Sequence, residues 1–209
     1  RFNKLANIYT ALNEEIDWAK GDGYSARLTK SQQLRIQDTN LIPINLDPPN
    51  SVSNSTLNSK LDIQKIVASY KKNVPALVVV DDLLNADVLC TLQKFLLEST
   101  IWFHLKQNGY IGAYLDDGLS CPLLLQITED LHRTFPGIFE DHQLKHLWAY
   151  KYDSQRNGIN LHADDAAVNV NFWVTPRSAN LDPKTGGLII YDAAAPQDWA
   201  YDVYYTGED

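Results

Sequence analysis

Apolar residues recur at helical spacing in four stretches of the chain. Phe2, Leu5, Ile8, Tyr9, Leu12, Ile16 and Ala19 predict a helix over residues 2–20, ended by Gly21 and Gly23. Leu61, Ile63, Ile66, Val67 and Tyr70 predict a shorter one over 61–71. Val88, Leu89, Leu92, Phe95 and Leu96 mark the apolar face of a helix over 85–98, with Asn85 at its N-cap. Leu124, Ile127 and Leu131 do the same for 121–133, before Pro136 and Gly137 break the chain. Strand patterns lie between and after these. The run Ala76–Val80 (Ala-Leu-Val-Val-Val) reads as a buried strand. Residues 110–115 read as a short strand entering the Asp-Asp-Gly turn at 116–118, and 144–152 as an aromatic strand. The turn 153–158 leads to a strand carrying His162. Over 168–175 the alternation is strict: Val168, Val170, Phe172 and Val174 share one face, and Asn169, Asn171, Trp173 and Thr175 the other.

Helices come first and antiparallel strands dominate afterwards. That order predicts an α+β fold with an open sheet or part of a barrel. Residues 38–60 are rich in Asn, Ser, Pro and Asp, with prolines at 43, 48 and 49, and read as a linker or surface loop. The expected organisation is an N-terminal helical extension and linker over 1–60 and a main domain over 61–209, large enough to bury a sizeable core.

Composition narrows the function classes. A net charge of −8 argues against nucleic acid as a partner, because phosphate binding needs a basic surface. No apolar run approaches the roughly 18 residues of a membrane span. Cys90 and Cys121 lie in apolar contexts without metal-ligand spacing and read as buried free thiols, which makes a reducing, cytoplasmic setting the default. No Gly-x-Ser-x-Gly or phosphate-loop pattern supports a serine hydrolase or a nucleotide-binding protein. The oligomeric state is not encoded in any of these patterns.

His162 and Asp164 form the principal candidate constellation. In extended backbone, side chains two residues apart point the same way, so both can converge on one ion. An imidazole and a carboxylate supply two thirds of the 2-His-1-carboxylate triad that suits Fe(II). A His-x-Asp tripeptide also arises by chance, as a surface histidine beside an acidic turn. The polar face of Asn169, Asn171 and Trp173 either meets solvent or lines a polar cavity, and the neighbouring His162 and Asp164 favour the cavity.

The order of pieces resembles the 2-oxoglutarate- and Fe(II)-dependent oxygenases, in their prolyl-4-hydroxylase-like branch. The matching pieces are Tyr150-Lys151-Tyr152, the turn through Gly158, His162-Ala163-Asp164, Asn169 to Thr175, and Gly186-Gly187-Leu188, within residues 76–192. The resemblance implies a double-stranded β-helix (jelly-roll, cupin-like) core with supporting N-terminal helices. It also implies His162 and Asp164 as Fe(II) ligands, and Tyr152 as a hydrogen-bond partner of the 2-oxoglutarate carboxylate. Trp173, on the same face as Asn169 and Asn171, would line the cosubstrate pocket, and Gly186 and Gly187 would permit close backbone approach. The implied activity is a dioxygenase that hydroxylates a protein side chain or a small molecule, with Fe(II) and 2-oxoglutarate required and ascorbate a candidate accessory reductant.

The family's pattern also requires a later histidine, and about ten residues beyond it an arginine or lysine that pairs with the far carboxylate of 2-oxoglutarate. His162 is the last histidine here, and Arg177 and Lys184 both precede the glycine pair. His104, His132, His142 and His146 could in principle supply the third ligand, with His146 the nearest in strand order. Methionine is absent, including at position 1. The expectation is that the barrel is incomplete at the C-terminal side, that the working protein continues past Asp209, and that the 209-residue chain is inactive alone. The rival expectation is a degenerate barrel serving as a non-enzymatic protein-binding module. A cupin-type metal enzyme would be richer in histidine.

Overall fold

The computed structural model describes residues 2–18, 26–37, 43, 45–106, 109–140, 142–152, 162, 164, 166–181, 184 and 186–192. It is α+β, with six α-helices and a three-stranded antiparallel sheet among these residues. The chain divides into two compact units, 1–42 and 43–209.

The first unit holds α1 (Phe2–Glu15) and α2 (Lys30–Ile36). Leu5 and Leu12 are the buried residues of α1, one helical face apart by seven positions. Thr29 and Gln32 form a capping box that starts α2. Arg35 grips Glu15 through both carboxylate oxygens, at 2.7 and 2.6 Å. This hydrogen-bonded guanidinium holds the Glu15 carboxyl below its ordinary value.

In the second unit, α3 (Ile63–Lys72), α4 (Ala86–Glu98) and α5 (Pro122–Thr134) surround one apolar core. Val88, Leu92, Phe95 and Leu96 of α4 are buried, as their spacing predicts. On α5 the buried apolar set is Leu123, Ile127 and Leu131, with Leu124 half-buried. Asn85 does start α4, but its side-chain amide donates to the Ser55 carbonyl and makes no cap bond. Pro136 opens a single further turn, α6 (Pro136–Phe139), a position where its missing N–H has no helical acceptor to lose.

The expected boundary at residue 60 and the division at 42–43 differ for a physical reason. Residues 45–58 are fastened to the main unit by hydrogen bonds. The Asn45 amide donates to the Thr100 hydroxyl while its carbonyl accepts from the Thr100 amide, and Gln126 holds the backbone of Val52 and Asn54. The Thr56 amide and hydroxyl both donate to Asp130 Oδ2, at 2.7 and 2.9 Å, inside the core. Proline- and serine-rich composition signals irregular backbone, and here that backbone is ordered by side chains distant in sequence.

The sheet runs β1 (His104–Lys106), β2 (Tyr110–Tyr114), β3 (Trp148–Tyr152), in that order. Ala113 and Ala149 face the apolar core. His104, Lys106, Tyr110, Gly112, Tyr114, Trp148, Tyr150 and Tyr152 share the opposite face. The predicted strand at 76–80 is corrected: these residues have no ladder partner among the described residues, and Leu77 and Val79 are exposed. An apolar β-branched run becomes a strand only beside a receiving edge. Residues 168–175 likewise carry no ladder, and their alternation holds only in part: Phe172 and Val174 pack on the core while Asn169, Asn171 and Trp173 are exposed, but Val170, expected on the apolar face, is exposed as well. The turn at 153–158 lies outside the described residues.

Candidate metal centre

His162 and Asp164 are brought together. The imidazole Nε2 and the carboxylate Oδ1 are 3.7 Å apart, and both side chains are about one quarter exposed, at 26% and 27%. The Asp164 carbonyl accepts from the Ala166 amide at 2.9 Å, a tight turn that fixes the local backbone. Donors on one ion stand about 2.1 Å from it, so two ligands at right angles lie about 3.0 Å apart. Closing the pair by about 0.7 Å would bring it to that separation, and the nitrogen–oxygen donor set suits iron. No group of three or more His, Cys, Asp or Glu side chains is assembled for a metal among the described residues.

The other histidines have different neighbours. His104 Nε2 pairs with Asp117 Oδ2 at 2.5 Å. His132 stacks on Phe139, and His146 tilts against Trp148. His142 is exposed on the segment after α6.

Tyr152 ends β3, about half exposed, with its ring stacked on Tyr110 at 5.3 Å and edge-on to Tyr150 at 6.3 Å. Asn169, Asn171 and Trp173 present their polar face to solvent, which answers the choice between solvent and cavity for this structure. Gly187 has φ +130°, a conformation that requires glycine, but a Cβ there would meet nothing within 4 Å. Its role is conformational; among the described residues no close backbone approach is made at this glycine. Leu188, Ile189, Ile190 and Tyr191 beyond it are exposed. An open groove of about 710 Å³ beside α5, lined by Leu125, His132, Arg133 and Leu144, includes neither His162 and Asp164 nor Tyr152, Asn169, Asn171 and Trp173.

One arrangement was not anticipated from sequence: the row of aromatic rings across the sheet, flanked by the His104–Asp117 pair. Tyr110 is edge-on to Tyr150 at 5.1 Å, and Tyr114 is edge-on to His104 at 4.6 Å. The signal was present in Tyr110, Tyr114, Tyr150 and Tyr152, all at period two. Cys121 is buried, and burial pushes its thiol pKa up, whereas Cys90 is exposed, contrary to the expectation for it. No helix among the described residues is long and apolar enough to cross a membrane. Comparison with protein-family models, with curated proteins and with solved structures finds no match.

Proposed function

We propose that the chain belongs to a 2-oxoglutarate- and Fe(II)-dependent dioxygenase that hydroxylates a protein side chain or a small molecule. The observation that carries the reading is the convergence of His162 and Asp164 at 3.7 Å, half-buried, following an aromatic strand that ends in Tyr152. In this reading the sheet belongs to a double-stranded β-helix, completed by strands beyond those described.

His162 and Asp164 would hold the iron. Bound Fe(II) would supply the O₂ chemistry that couples decarboxylation of 2-oxoglutarate to succinate with hydroxylation of a substrate C–H bond. The protein's own residues position and shield. Tyr152 would donate its phenol to a 2-oxoglutarate carboxylate. Tyr110, buried against Tyr150 and Tyr152, braces that ring. Asn169, Asn171 and Trp173 would close over the cosubstrate only if the segment carrying them turns its polar face toward the site.

The test is succinate formation from 2-oxoglutarate by the full-length protein under O₂ with Fe(II). His162→Ala and Asp164→Ala are each expected to abolish it. Unchanged turnover in either variant removes that residue from the metal. A second reading, a protein-binding module without catalysis, draws on the exposed apolar run Leu188–Tyr191. It is favoured if the protein neither binds iron nor consumes 2-oxoglutarate.

A further inference from the structure

β2 ends at Tyr114, and a tight turn through Leu115–Asp117 follows, closed where the Leu119 amide donates to the Tyr114 carbonyl at 3.1 Å. The Leu115 amide donates to the Leu147 carbonyl at 3.1 Å, which carries the pairing of β2 with β3 past its end and holds the turn against residues 145–148. A cavity of about 210 Å³ lies here, and its lining includes Tyr114, Asp116, Lys145, His146 and Trp148. Pockets for drug-sized ligands start near 300 Å³, so this one takes a single functional group or side chain. Tyr114 and Trp148 are register partners on one face of the sheet, and the His146 ring stands 5.7 Å from that of Trp148, tilted by 36°. The three rings make an aromatic lining. Asp117 pairs with His104, whereas the neighbouring Asp116 carboxylate is exposed and makes no hydrogen bond or ion pair among the described residues. Lys145 has an interaction of its own. Aromatic faces carry negative charge, so they attract cations and repel anions, and a carboxylate beside them acts with the same sign. The Lys106 ammonium already uses this preference, 5.8 Å from the centre of the Tyr114 ring.

We propose that this cavity binds an organic cation, an alkylammonium group held between the Trp148 ring and the Asp116 carboxylate. The site is separate from His162 and Asp164, which do not line it, and the inference does not rest on the oxygenase reading. Lys145 opposes the ligand's charge and limits its affinity.

The test is NMR titration of the full-length protein with two cations, tetramethylammonium and a blocked tripeptide centred on lysine. Their uncharged counterparts, tert-butanol and the norleucine tripeptide, serve as controls. The cations are expected to bind roughly tenfold more tightly than the controls. Asp116→Asn should weaken cation binding roughly threefold, and Trp148→Leu roughly fivefold or more. Lys145→Gln removes a like charge and should tighten it. Opposite effects of two exposed substitutions cannot both come from loss of the fold. Tighter binding of the lysine tripeptide assigns the cation to a protein side chain, and tighter binding of tetramethylammonium assigns it to a free small molecule. Equal binding of the neutral controls overturns the proposal, as does the absence of binding by either cation. Unchanged affinity in Asp116→Asn, or weaker binding in Lys145→Gln, overturns it as well.

Discussion

Replacing Asp130 by alanine would strip the Thr56 amide and hydroxyl of the acceptor they share inside the core. Thr56 is fully buried and Asp130 is 2% exposed, so no solvent can substitute. Each orphaned donor costs about 1–3 kcal/mol, and Asp130→Ala should lower unfolding stability by roughly 3 kcal/mol in denaturant melts. A loss under about 0.5 kcal/mol would show that the loop over 45–58 is not held by this contact. The two cysteines allow a second check at the same scale. Cys90 is exposed, while Cys121 is buried with a raised thiol pKa. One thiol should therefore alkylate rapidly in the native protein and the second only on unfolding, as mass spectrometry of the labelled peptides would show. Rapid native labelling of Cys121 would contradict the core described around it.

At the scale of elements, four of the six helices among the described residues were legible in the sequence, α2 and the short α6 were not, and the strands were only partly so. The face of α4 follows from 3.6-residue spacing alone, because a helix satisfies its own backbone and needs only one buried side. A strand needs a partner, and residues 76–80 and 168–175 show apolar or alternating strand patterns without one among the described residues. The same limit applies to the candidate site. The spacing of His162 and Asp164 foretold their convergence, but which way Asn169, Asn171 and Trp173 face depends on packing with distant segments. The sheet itself makes a prediction. A Cβ on Gly112 would stand 2.9 Å from Tyr114 Cε2 and 3.2 Å from Tyr150 Cε1. Gly112→Val should therefore displace both rings and cost about 1–3 kcal/mol, with a change in the near-ultraviolet tyrosine circular dichroism. A variant with the parent's spectrum and stability would contradict the aromatic row. In the first unit, the Arg35 guanidinium holds the Glu15 carboxyl below its ordinary value. A lowered folded-state pKa stabilises above the ordinary value and is lost as pH falls through the folded one. The Glu15 carboxyl should thus titrate at lower pH in the parent than in Arg35→Ala when followed by NMR, and equal titration in both would contradict the ion pair.

At the scale of the whole molecule, charge and exposed apolar surface pull in opposite directions. The net charge of −8 favours solubility, whereas Leu77, Val79, Leu188 and Ile189 expose strand-like apolar surface. The 209-residue chain should self-associate at high concentration, and Val79→Lys with Ile189→Lys should reduce this in light scattering while leaving the melting temperature unchanged. A fall in melting temperature would mean that these side chains are buried. The account as a whole turns on whether His162 and Asp164 bind a metal. Anaerobic Fe(II) titration of the full-length protein, beside His162→Ala and Asp164→Ala, measures this directly. The expected result is one saturable site in the parent, weakened roughly a hundredfold or more in either variant, since even loss of an outer-shell partner costs 10–100-fold. Equal affinity in all three proteins would contradict it.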